Sequence, residues 1–156
     1  MKKIFAIIFN INKSGNEKFL IRFKNINMID YSWYSMLIQP PLRPPAWLFA
    51  PVWTILYITM VVALFLYAKK QSTTSKAWGY VLFFTQLLVN LAWSPAFFGM
   101  KNIGLALALV VLLDILVLFN IIEFSKVSKS AGRCLIPYFI WILFATYLNI
   151  GFFILN

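Results

Sequence analysis

Histidine does not occur in this sequence, cysteine occurs once, at Cys134, and acidic residues occur four times, at Glu17, Asp30, Asp114 and Glu123. Each shortage excludes a chemistry. A lone cysteine forbids an intrachain disulfide, and without histidine there is no imidazole-held haem and no zinc site of a common ligand set. The side chain most used in general acid–base catalysis is missing too. A hydrolase or metal-dependent enzyme is not expected, nor is a resident cofactor. Charged residues make up only 12% of the 156, against 62% hydrophobic ones, with a mean hydropathy of +0.83. That balance lies outside the range of soluble domains and implies a single-domain, multi-pass integral membrane protein.

What charge there is has one sign. Lysine and arginine outnumber acids 14 to 4, for a net charge of +10. These residues lie between apolar runs and in the N-terminal third, where anionic lipid headgroups are the nearest partners, so they do not form a nucleic-acid footprint. The lipid bilayer is the expected partner, and no nucleic acid is. The Lys/Ile/Asn/Phe bias suggests an AT-rich genome and hence a bacterial membrane.

Residues 1–32 form an atypical segment. Lys2-Lys3 and the run Ile4 to Phe9 resemble a secretory start, but the run is short and no small-residue cleavage site follows. An interfacial amphipathic helix around Glu17 to Ile29, a degraded first spanning helix and a simple tail are all open. From residue 33 to 156 the chain reads as one membrane domain. Four apolar runs are long enough to span, at about 46–68, 77–98, 103–124 and 134–155. Short connections make successive spans antiparallel. Lys69, Lys70 and Lys76 flank one connection, and Lys126, Lys129 and Arg133 lie in another, expected at 125–133. The positive-inside rule turns these two towards the cytoplasm, although six basic residues before position 25 oppose it.

Between Trp33 and Pro45 the chain is too polar and too rich in proline to span. Gln39-Pro40-Pro41-Leu42-Arg43-Pro44-Pro45 should be stiff and non-helical, with Pro44 and Pro45 where a helix start tolerates a missing N–H. Trp33, Tyr34 and Trp47 suit the headgroup level, and Arg43 can keep its charge there. Two readings stand: a loop with interfacial anchors, or a lid over a cavity between helices.

Polar groups in hydrocarbon are costly, so their placement inside the spans is informative. Gln86, Asn90 and Ser94 recur every four residues along one face of the second span, beside Trp93 and Phe97. Interhelical hydrogen bonding and a cavity wall are both open for that stripe. In the first span Trp53, Tyr57 and Met60 share a face, and in the fourth Trp141, Ala145 and Leu148 do, next to Tyr138 and Asn149. A large ring beside a small residue suits ordinary packing as well as a pocket. Pro51 and Pro95 should kink their helices and leave room between them. Asp114 is an ionisable residue in the third span with no basic partner in any span, a candidate for proton coupling.

The segments WYSMLIQP-PLRPPAW, APVWTILY with Met60 three residues on, QLLVNLAW-SPAFFG and PYFIW-ILFATYLN resemble the TspO/MBR family in order and spacing, from Trp33 to Asn156. The resemblance implies an all-α bundle of five membrane helices, commonly a homodimer. Four are clear here, and the first is degenerate or missing. It further implies a pocket for porphyrins or similar flat hydrophobic ligands, used in sensing or transport; the alternatives are an enzyme of oxidative porphyrin degradation or, on Asp114, a proton-coupled small-molecule transporter. Carried over by motif, the ligand-binding residues are Trp47, Pro51, Trp53, Tyr57, Asn90, Trp93, Trp141, Ala145 and Leu148. Trp33, Tyr34, Pro40, Arg43, Pro44 and Pro45 belong to the covering loop. Rings would stack on the tetrapyrrole, and Arg43 would meet a propionate. Two departures stand out. Gln39 replaces the lysine usual before the proline, and Tyr147 has no following basic residue, so the sterol-contact motif of the animal proteins is absent.

Overall fold

A computed structural model describes residues 31–156, and the expectations for the segment before them lie outside those residues. The described residues form one short and four long helices with no strand: α1 (Tyr31–Met36), α2 (Ala46–Lys69), α3 (Ala77–Ser94), α4 (Ile103–Val127) and α5 (Lys129–Leu155). The four long helices have 18 to 27 residues each, and α3 gains a further turn from Pro95 to Gly99. At 1.5 Å per residue, the 24 residues of α2 cover about 36 Å, enough to cross a bilayer.

These helices are apolar nearly all round, as helices with lipid on one side and protein on the other must be. Ile58, Val61 and Phe65 on α2, Phe84 and Leu88 on α3, Ile115 and Phe119 on α4, and Ile140 and Leu143 on α5 are exposed. Buried positions follow the opposite faces: Leu56, Met60, Ala63 and Tyr67 on α2, and Leu113, Val117, Asn120 and Phe124 on α4. Helix α5 packs against both α2 and α4, and α4 packs against α3, while α2 and α3 touch only sparsely. The interior between α2 and α3 is left open at one end. At the other end it is filled, with Tyr67 stacked on Phe124 at 4.0 Å between ring centroids.

The expected loop at 125–133 is helical instead. Helix α4 continues to Val127, and α5 begins at Lys129, with Ser128 alone between them. Ser128 ends one helix by donating its N–H to Phe124 O and caps the next by accepting from Ala131 N. Gly132 is what allows so tight a reversal. A Cβ there would strike Ser125 Oγ and lie 3.0 Å from the Ile121 carbonyl oxygen. Lys126, Lys129 and Arg133 lie within these helices, because charge at a membrane boundary does not interrupt a helix.

Pro95 kinks α3 in a specific way. The turn Pro95–Gly99 is π-helical, and Met100 N–H donates to Pro95 O at 2.8 Å. A wider turn accommodates the missing donor and rotates Phe97 and Phe98 inward. Pro51 lies inside α2 and Pro137 inside α5 without ending either helix.

Candidate functional site

The proline segment is fastened to the end of α5 rather than lying loose. Ile38 N–H donates to Asn156 Oδ1 at 2.8 Å, Asn156 Nδ2 donates to Ile38 O, and the Tyr147 hydroxyl donates to Pro41 O at 3.1 Å. Pro40 is buried against Gly151, where a Cβ would come within 2.5 Å of the proline Cβ. Within the segment Gln39 donates to the Tyr34 and Leu37 carbonyls and accepts from Arg43 Nη1 at 2.7 Å. Arg43 in turn lies 5.3 Å from the Tyr34 ring centroid, a cation–π arrangement. Burial raises the pKa of the Tyr34 phenol, and the Arg43 charge partly offsets that, so the phenol is neutral at ordinary pH.

Beneath this cover lies a cavity of about 430 Å³ between the helices, within the range of small-molecule sites. Helix α2 contributes Ala46, Phe49, Trp53 and Tyr57, a face repeated every three or four residues. From α3 and its π turn come Asn90, Trp93, Ser94, Phe97 and Phe98, and from α4 Val110 and Leu113. Helix α5 supplies Trp141, Ile142, Ala145, Leu148, Asn149 and Phe152, while Tyr34 and Arg43 complete the mouth. The rings hold one another in place. Phe49 meets Trp141 edge-on at 5.8 Å, Trp53 lies 5.7 Å from Tyr57, and Trp93 stacks on Phe97 at 5.2 Å.

A hydrogen-bonded chain crosses the floor. The Tyr57 hydroxyl donates to Asn90 Oδ1 (2.8 Å), Asn90 Nδ2 to the Tyr138 hydroxyl (3.0 Å), and that hydroxyl to Gln86 Oε1 (3.0 Å). It joins α2, α3 and α5 where helix packing alone is thin. Higher up, Trp93 Nε1 donates to Asn149 Oδ1 at 3.1 Å. Trp141 Nε1 is buried and has no hydrogen-bond partner among the described residues.

Nine of the residues expected at the site therefore border one cavity: Trp53, Tyr57, Asn90, Trp93, Trp141, Ala145 and Leu148, with Tyr34 and Arg43 from the loop. Trp47 and Pro51 do not. They share the outer face of α2, turned well away from the face of Phe49, Trp53 and Tyr57, and Trp47 is 71% exposed. Trp33 packs edge-on against Phe97 from outside the cavity, at 5.6 Å. Pro40 anchors the loop and Pro44 is half-buried, while exposed Pro45 precedes α2 and accepts from Leu48 N. Phe49, Phe98, Val110, Leu113 and Phe152 also line the cavity, and no motif in the sequence marks them as site residues. The spacing of Phe49 from Trp53 was the available signal; α4 offered none, because its apolar residues run all round.

Fold and cavity together define a multi-pass helical membrane protein with an aromatic chamber under a proline-rich cover. The model of the TspO/MBR family matches residues 17–155, and the chain belongs to that family. The match starts ahead of Trp33, where the motif resemblance begins, and so takes in part of the segment treated as atypical. The chain is 45% identical over 130 residues to the tryptophan-rich protein TspO of Chlorobaculum tepidum, covering 80% of each chain. It is 38% identical over 125 residues to the protein of the same name from Archaeoglobus fulgidus, again covering 80% of each. The translocator protein of Homo sapiens is 37% identical over 119 residues, which is 75% of this chain and 70% of that one. The protein is thus a membrane protein of the sensory and translocator type.

Proposed function

We propose that the cavity binds a flat hydrophobic molecule of the porphyrin class and that the protein senses or moves such ligands within the bilayer. The observation that carries this is the convergence of Trp53, Trp93 and Trp141 from three helices on one chamber whose mouth holds Arg43. Indole faces suit a conjugated macrocycle, and a guanidinium at the mouth suits an acidic substituent reaching towards the headgroups. Arg43 is held by Gln39 and Tyr34, so a carboxylate would displace the Gln39 contact without moving the helix ends. Tyr57 and Asn90 would meet the deep edge.

Titration of the detergent-solubilised protein with protoporphyrin IX tests the reading. Saturable quenching of tryptophan fluorescence is expected. Trp141→Ala should weaken it about ten-fold or more, because the ring forms part of the wall and loses its stacking area. Phe84→Ala, at an exposed position on the lipid side of α3, should leave it unchanged. Equal effects from both substitutions would sink the proposal.

A second reading is oxidative degradation of a bound porphyrin in light with dioxygen. It draws support from Trp53 and Trp141 facing the same chamber. Product formed over several turnovers, and lost when both become phenylalanine, would favour it over binding alone.

A further inference from the structure

One ionisable side chain of the membrane helices is left unused by the ligand cavity. Asp114 follows Leu113 on α4, and its partner Thr146 follows Ala145 on α5, and both Leu113 and Ala145 line the chamber. The pair sits in the seam between those helices, next to the wall. Thr146 Oγ1 donates to Asp114 Oδ2 at 2.7 Å, whereas Asp114 Oδ1 is buried and has no hydrogen-bond partner among the described residues.

Among the described residues, nothing near Asp114 balances a negative charge. Basic side chains of the long helices all stand near their ends, at Lys69, Lys126, Lys129 and Arg133. From α5 the titratable neighbour is Tyr138, whose hydroxyl is engaged with Asn90 and Gln86. The phenol that α2 brings to the chamber, Tyr57, is bonded to Asn90, and α3 brings only the uncharged amides Gln86 and Asn90. Glu123, the other acid of α4, lies nine residues on and pairs with Lys126. A carboxylate with a single hydroxyl donor and no cation is far costlier in hydrocarbon than the neutral acid.

We propose that Asp114, held by Thr146, is a reversible proton-binding site beside the wall of the cavity, filled in the state that holds ligand and emptied in a state that holds it more weakly. In the neutral acid Oδ2 is the carbonyl oxygen that accepts from Thr146, and Oδ1 carries the proton. With no acceptor among the described residues, that proton is retained by the cost of placing a charge in hydrocarbon rather than by a bond. Ionisation requires water to enter the α4–α5 seam, which shifts Leu113 and Ala145 and loosens the wall on which the ligand rests. The ligand and the proton are then linked, each favouring the other. The proton site stands on its own; its coupling to the cavity rests on the ligand reading above.

Infrared difference spectroscopy on protein in phosphatidylcholine vesicles tests the site without any ligand. A deuterium-sensitive C=O stretch of a protonated carboxyl is expected at neutral pH, absent in Asp114→Asn. Thr146→Val should move it to higher frequency, through loss of the hydrogen bond to Oδ2, and serves as the second variant if the asparagine form fails to fold. No such band in the wild type, or a band that survives Asp114→Asn, overturns the proton site. Coupling is read from protoporphyrin IX quenching. Wild-type affinity should fall about ten-fold between about pH 6 and about pH 9, and that of Asp114→Asn, neutral throughout, less than about two-fold. Equal pH dependence in the two overturns the coupling. Absence of quenching in the wild type at both pH values sinks the ligand reading and the coupling with it, while the infrared band still decides the proton site.

Discussion

Single side chains decide whether this bundle tolerates polarity in its interior. Tyr138 is fully buried and does two jobs at once, accepting from Asn90 and donating to Gln86. Tyr138→Phe keeps the ring and removes both bonds. Interhelical hydrogen bonds in membranes contribute roughly 0.6 kcal/mol each, so the expected loss is about 1 kcal/mol, seen as a lower thermal midpoint in detergent. Gly79 is a second such position. A Cβ there would collide with the Tyr67 hydroxyl and ring, which must stay flat against Phe124. Gly79→Ala should therefore destabilise by more than its gain in helix propensity, about 1 kcal/mol, returns. A rise in the thermal midpoint would contradict the packing described.

Helix ends and their connections set the shape of the chamber. The junction of α4 and α5 depends on one capping serine and one glycine, with no loop to absorb error. Ser128→Ala should cost about 1 kcal/mol through loss of the cap on Ala131 N, measured as a reduced unfolding midpoint. At the opposite end the cover is tied to α5 by Asn156 and Tyr147. Asn156→Ala removes the acceptor of the Ile38 amide. A hydrogen bond of about 1 kcal/mol corresponds to roughly five-fold faster hydrogen exchange at Ile38, with amides in the middle of α5 unaffected. Uniform acceleration across α5 would mean that the loop is not an independent cover.

At the scale of the whole molecule, antiparallel packing puts the basic residues of two connections at one end and the aromatic chamber at the other. Lys69, Lys70 and Lys76 flank the same end as Lys126, Lys129 and Arg133, as the Tyr67–Phe124 stack requires. The positive-inside rule favours that end in the cytoplasm with the chamber opening away from it, against the six basic residues before position 25, so the orientation is an expectation to be tested. In intact cells a Ser72→Cys label site, in a Cys134→Ser background, should resist membrane-impermeant maleimide until the cells are lysed. Labelling before lysis would reverse the topology.

Hydropathy alone determined four spanning helices, because a run of some twenty apolar residues has few stable arrangements other than a bilayer-crossing helix. Motif order determined the family, and spacing along single helices placed Trp53 beside Tyr57 and Gln86 beside Asn90. Registers between helices were not legible, since residues apolar on every side carry no periodic mark of which face is inward. That is why Trp47 and Pro51 fall outside the chamber, why Leu113 and Val110 join it unannounced, and why Asp114 finds Thr146. Nor could charge patterns reveal that Ser128 alone separates α4 from α5. Only packing decides how closely two backbones approach, and there it turned on the missing side chain of Gly132.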